Sequence, residues 1–346
     1  MSLSQVVHSM RRRIPWEVGK TIIKEIGLST GRGWDKTAHK LLEDHLVASK
    51  ETPLRLALEE HILCGEKSVR FYQLENDDMD LIRQFSKSCE VEKSPFSEYF
   101  PNLVPEDDLS ALRPLGINVV AVRNYPDASA IILGSVRSVQ HRQLLTSDDF
   151  PDATETIEKF DEVVGMRLQH WEALDVIWVP NTGNRVSVRV DFPPGTSHEV
   201  SDIAHNQIAH KISNSIGKEL SFVPLDMFGL INRIYQDSTE GRVVELAFST
   251  NTASSKHEKM RLRHLDLREE NYHVAGKNGL NAPIEPFRLA VEWDLYSANQ
   301  FLGRPEALFL GSSRSSMLSD VIIRGCRGFS DYANVQSRLI HHMEVV

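Results

Sequence analysis

The hydrophobic period of this chain changes once along its length, and that change sets what the chain can fold into. From Trp16 to about Phe100 apolar residues recur at three- and four-residue steps: Val18, Ile22, Ile23 and Ile26, then Leu41, Leu42 and Leu46, then Leu54, Leu56, Ile62 and Leu63. Such spacing lays an apolar stripe along a helix. Gly27, Gly31, Gly33, Pro53 and Gly65 cut the run into short helices. Segment 94–110 carries Pro95, Pro101 and Pro105, then Glu106, Asp107 and Asp108, and cannot continue a regular helix.

Beyond that join the period is two. Residues 117–125 and 129–134 read as strands around a turn at Asp127, and 163–171, 175–179 and 185–192 read as a meander. In its last strand Val186, Val188, Val190 and Phe192 alternate with Arg185, Ser187, Arg189 and Asp191, which predicts one buried and one solvated face. Helices are expected near 197–216 and 225–235, strands at 242–248 and 288–295, and a polar excursion over 250–285. The fold class is therefore α+β: an N-terminal helical bundle over 1–93, a linker over 94–110, and an antiparallel-sheet domain with flanking helices over 111–346. Two domains also fit 346 residues, since single cores stop growing at roughly 250–300.

Several function classes find no support. No apolar run approaches the roughly 20 residues that span a bilayer, and the start lacks a secretory apolar region, so a soluble intracellular protein with no membrane partner is expected. Cys64, Cys89 and Cys326 have neither the pairing nor the spacing of a disulfide framework or a cysteine zinc site, which fits a reducing compartment. Gly19-Lys20-Thr21 resembles the end of a phosphate loop, but Ile14 stands where the first glycine belongs and no strand precedes it. No acid is followed two residues later by Lys, against the common metal-nuclease pair. The loop 311–316 lacks the GxSxG nucleophile turn and suits at most an anion contact.

Two acid-and-histidine patterns remain. Glu292 and Asp294 share a strand face and read as a solvated edge. His198, Asp202 and His205 at i, i+4 and i+7 share one helix side, where three such ligands still need a fourth from elsewhere, so a polar helix face is the expectation. No catalytic residue, metal or cofactor is assigned.

Charge layout is the strongest functional signal. The chain carries a net charge of -9, yet residues 1–40 sum to +5, residues 51–110 to -8 and residues 251–265 to +3. Local basic faces bind phosphate even on an acidic protein. Arg11, Arg12, Arg13 and Lys20 supply one such face; Lys256, Lys259, Arg261 and Arg263 supply a second, and Arg314 adds a guanidinium in a serine-rich loop. Without interleaved aromatics, backbone contact with a duplex fits better than stacking on a single strand.

Arg11-Arg12-Arg13-Ile14-Pro15, residues 67–74, and Asn278-Gly279-Leu280-Asn281 ahead of Pro286-Phe287-Arg288 occur in an order that resembles the kinetochore CENP-N family of nucleosome- and DNA-binding proteins. The resemblance implies a pyrin-like helical domain, a C-terminal sheet domain, a basic DNA-contacting groove and a nuclear location; residue by residue it carries over only to Arg11, Arg12 and Arg13. The expected function is thus a non-enzymatic protein that contacts DNA or a nucleoprotein complex. An adaptor whose helical bundle recruits a protein partner is the alternative, and an enzyme with an unrecognised site the second.

Overall fold

The structure is a computed structural model that describes residues 2–43, 45–146, 149, 152, 159–297 and 300–344. Four helices open the chain: α1 (Leu3–Arg13), α2 (Trp16–Glu25), α3 (Trp34–Glu43) and α4 (Glu51–Cys64). Strand β1 (Lys67–Gln73) follows, then α5 (Asn76–Ser88), α6 (Pro95–Tyr99) and α7 (Leu109–Leu112). Next come β2 (Asn118–Asn124), β3 (Ala128–Leu145), β4 (Val163–Pro180), β5 (Arg185–Asp191), α8 (His198–Ile216) and α9 (Phe228–Gln236). The chain ends with β6 (Arg242–Ser249), β7 (Ser255–Lys259), α10 (Asn271–Asn278), β8 (Glu285–Glu292), β9 (Leu295–Ser297), β10 (Gln300–Gly303), β11 (Glu306–Phe309), β12 (Val321–Arg324) and α11 (Phe329–Glu344). This is the expected α+β architecture of helices followed by an antiparallel sheet.

Ten strands form one sheet in the order β2-β3-β4-β5-β1-β12-β11-β8-β6-β7, with every neighbouring pair antiparallel. The sequence pattern assigns β1 to a helical bundle, but the strand sits in the middle of the sheet, paired to β5 along its whole length and to β12 over Lys67–Val69. The helical segment and the sheet therefore share a core: Val6, Met10, Leu54 and Leu58 pack in one cluster with Phe71, Leu174, Val291 and Leu339. On the opposite sheet face α5 and α8 supply Met79, Ile82, Ala204, Ile208 and Ile212 to a second cluster with Tyr72, Val186, Val188 and Val190.

Three local expectations change. Residues 163–171 and 175–179 are one strand, β4, hydrogen-bonded to β3 from end to end. The 250–285 region is an ordered edge strand, β7, and a short helix, α10, rather than an excursion. The supposedly solvated face of β5 is buried, with Ser187, Arg189 and Asp191 each at 2% exposure or less. Helices α1, α4 and α11 cover it; Arg13 and Lys67 answer Asp191, whereas Arg189 has a carbonyl and two ring faces but no carboxylate.

Candidate functional site

The buried face of β5 begins the site. Arg189 lies between Trp178 and Tyr332, its guanidinium carbon 4.4 and 4.1 Å from the two ring centroids, and donates to the Leu63 carbonyl at 3.1 Å. Helix α1 is amphipathic, burying Val6, Val7 and Met10, and its last turn delivers Arg13 to the end of β5. There Arg13 forms a two-pronged pair with Asp191 at 2.9 and 2.6 Å, and the Lys67 ammonium donates to the same carboxylate at 2.5 Å. The Leu174 amide adds a third donor at 2.6 Å. Arg137 pairs with Asp175, which also accepts the Asp191 amide at 2.9 Å.

This lattice resolves the electrostatics of burial, since isolated charges in such a place would be very costly. Burial alone would raise the Asp191 carboxyl, but Arg13 and Lys67 outweigh it and hold the group well below the usual carboxylate range. Burial lowers the Lys67 ammonium to about 8, with Asp191 opposing the fall.

Beside the lattice lies a cavity of about 400 Å³, bounded by Arg12, Arg13, His61, Trp171, Glu172 and the turn Pro193–Thr196. Five of the residues that bound it also carry buried polar atoms without a partner: Arg13 Nε, both ring nitrogens of His61, Trp171 Nε1, Glu172 Oε1 and Thr196 Oγ1. Buried polar groups are nearly always hydrogen-bonded, so five such residues around one cavity set it apart. Glu172 Oε2 accepts the Val104 amide at 2.7 Å, which fixes the side chain and leaves Oε1 without a partner. Burial lifts the Glu172 carboxyl to about 7. Burial, reinforced by Arg13 and Lys67, lowers the His61 imidazole to about 3, so the ring is neutral. Gly65 makes room for that ring, because a Cβ there would stand 2.2 Å from His61 Nε2.

The residues around the cavity thus include two N–H donors (Arg13 and Trp171), a hydroxyl, a neutral imidazole and a carboxyl group that keeps its proton up to about neutrality. Comparison with models of protein families, with curated proteins and with solved structures finds no match to this chain. The chemistry of the site must therefore be read from its own atoms.

The basic residues singled out in the sequence separate into two groups. Arg13 is internal, and Arg12 is largely covered, pairing with Glu106 at 2.9 Å and donating to the Val104 carbonyl at 2.7 Å. Arg11 pairs with Asp35 at 2.5 Å on the surface, Lys20 with Glu17 at 3.7 Å, and Lys259 with Glu245 at 3.2 Å. Arg263 bridges Glu292 and Glu306 at 2.6 and 2.8 Å. Lys256, Arg261 and Arg314 are exposed and have no carboxylate partner among the described residues. Glu292 and Asp294 are not a solvated edge: Glu292 is buried, and Arg242 and Arg304 approach both acids.

The helical trio also divides. His205 is fully buried, its Nε2 3.2 Å from the Ser68 hydroxyl, whereas His198 and Asp202 stay together and meet Asp320. Sequence reasoning missed His61, Lys67, Trp171, Glu172 and Asp191. One signal was present in Arg185, Arg189 and Asp191, charges on a single strand whose other face is entirely apolar. No helix among the described residues is long and apolar enough to cross a membrane.

Proposed function

We propose that this protein binds a small monoanionic ligand in the cavity between α1, β4 and the turn Pro193–Thr196. The observation that carries the reading is that Arg13, His61, Trp171, Glu172 and Thr196, which bound one cavity, each carry a buried polar atom without a partner. A cavity of about 400 Å³ is in the range that holds metabolite-sized molecules. The charges favour an anion. Arg12, Arg13 and Lys67 face Glu106 and Asp191, while Glu66 is answered by Arg324 at 3.7 Å. With Glu172 protonated, one positive charge is left over. A carboxylate, or a phosphate monoester in its singly charged form, would accept from Arg13 and Trp171 and receive the Glu172 proton in a hydrogen bond.

The test is calorimetric titration of the full-length protein with a panel of small carboxylates and phosphate monoesters. A binder is expected whose affinity weakens as pH rises through about 7, where Glu172 ionises against it. Trp171→Phe keeps an aromatic ring, though a smaller one, and removes one donor, and should weaken that ligand by about 1 to 3 kcal/mol, the cost of an unmade buried hydrogen bond. Failure of every panel member to bind at millimolar concentration, or full affinity in Trp171→Phe, would refute the reading.

A second reading is contact with a nucleic-acid backbone. It is favoured by Lys256 on the edge strand β7 and Arg261 just beyond it, both exposed and free of carboxylate partners among the described residues. A nuclear location would follow from this reading alone. Replacing both residues with Ala should flatten the salt dependence of duplex binding by about 0.9 per lost phosphate contact. An unchanged slope, or no retardation of duplex DNA by the wild-type protein, would remove it.

A further inference from the structure

On the other face of β1, away from the cavity, His198 and Asp202 stand one turn apart at the start of α8. Ser197 caps that helix, its hydroxyl accepting the Val200 amide at 3.4 Å, so the first turn has a defined geometry. Asp320 immediately precedes β12. Its loop is pinned to the chain ahead of α9, because the Leu318 amide donates to Asp226 at 2.9 Å and the Leu318 carbonyl accepts from Met227 at 2.7 Å. One ligand atom from each of His198, Asp202 and Asp320 lies within 4.8 Å of the other two, and His198 Nδ1 is 3.8 Å from Asp320 Oδ2.

We propose that His198, Asp202 and Asp320 bind a first-row divalent cation, zinc fitting the ligand set best, with at least one coordination position left open. Zinc takes imidazole nitrogen and carboxylate oxygen at about 2.0–2.2 Å, which puts tetrahedral ligand atoms roughly 3.4 Å apart. The ligand atoms stand farther apart than that, within 4.8 Å, so binding would have to draw the three side chains together.

Two independent features support a cation here. Asp320 is only 4% exposed, and the one basic group within ion-pair range among the described residues is His198 itself, so its negative charge has no full counterion. The Ser68 hydroxyl donates to Asp320 Oδ2 at 2.6 Å, the kind of outer hydrogen bond that orients a ligating carboxylate. Arg70 pairs with Asp202 through Oδ1 alone, and a carboxylate has acceptor sites enough to serve a metal as well. A mixed nitrogen-and-oxygen set disfavours magnesium and calcium, which prefer oxygen alone. Three protein ligands leave a tetrahedral ion a place for water or an exogenous group.

The experiment uses the full chain, stripped with a chelator and titrated with zinc chloride in the presence of excess magnesium. One equivalent is expected to bind in wild type. His198→Gln and Asp202→Asn alter partly and largely exposed positions and should abolish that equivalent. Ser68→Ala should weaken it by about 10- to 100-fold, the usual cost of losing an outer-shell partner. His210→Ala, on the same helix but outside the cluster, should bind as wild type does. Circular dichroism of each variant verifies the fold. Absence of a zinc equivalent in wild type, displacement by magnesium, or equal uptake by folded His198→Gln and Asp202→Asn would overturn the assignment and leave an ion-pair network closed by Arg70.

Discussion

Replacing Glu172 by Gln tests the polarity of the cavity directly. The amide keeps the length of the side chain and can still accept the Val104 amide, but it cannot ionise. In the folded protein the Glu172 carboxyl is raised from its ordinary 4.5 to about 7 by burial. The folded state therefore holds a proton that the unfolded chain releases between those values, and stability falls as pH rises through that window. From pH 5 to pH 8 this group alone should cost wild type about 2 to 3 kcal/mol, because each tenfold difference in proton affinity between folded and unfolded chain is worth about 1.4 kcal/mol. Glu172→Gln should lack that loss. His61 titrates in both proteins alike and cancels in the comparison. Urea unfolding followed by tryptophan fluorescence at both pH values gives the double difference. If wild type and variant lose stability in parallel, the carboxyl is solvated and the account of the cavity is wrong.

Arg13→Ala leaves Asp191 buried with Lys67 as its remaining cationic partner, and should destabilise by about 3 to 5 kcal/mol, whereas the exposed Arg11→Ala should stay within about 0.5 kcal/mol; denaturant unfolding separates the two. Gly65→Ala forces a methyl into the His61 ring and should cost about 1 to 3 kcal/mol by the same measurement, with ligand affinity at the cavity falling alongside.

The alternation of Val186, Val188 and Val190, the helical stripe of α2 to α4 and the two mid-chain helices are local patterns, and local patterns were legible. Strand β1 was not, because Lys67, Ser68, Arg70 and Gln73 make it look polar, and only pairing with Asp191, Asp202 and Asp320 far along the chain permits its burial. The cavity was hidden for the same reason: Arg13, His61 and Glu172 come from segments that no spacing rule connects. Of the metal candidates, His198 and Asp202 followed from helical periodicity, whereas Asp320 required the fold. His205, which the same periodicity grouped with them, belongs instead to the packed interior beside Ser68.

The central position of β1 has a consequence for how the chain is made. Lys67–Gln73 leaves the ribosome early, yet one edge waits for residues 185–191 and the other for residues 321–324. Until both arrive, an unpaired strand with two open edges and an unanswered Lys67 is exposed, the situation in which partly made chains aggregate. Closure through contacts so distant in sequence is slow. The N-terminal helices can form early, but the sheet beneath them cannot be completed until the last strand, β12, has been synthesised, so fragments ending before residue 321 should depend on chaperones in a way that the full chain does not.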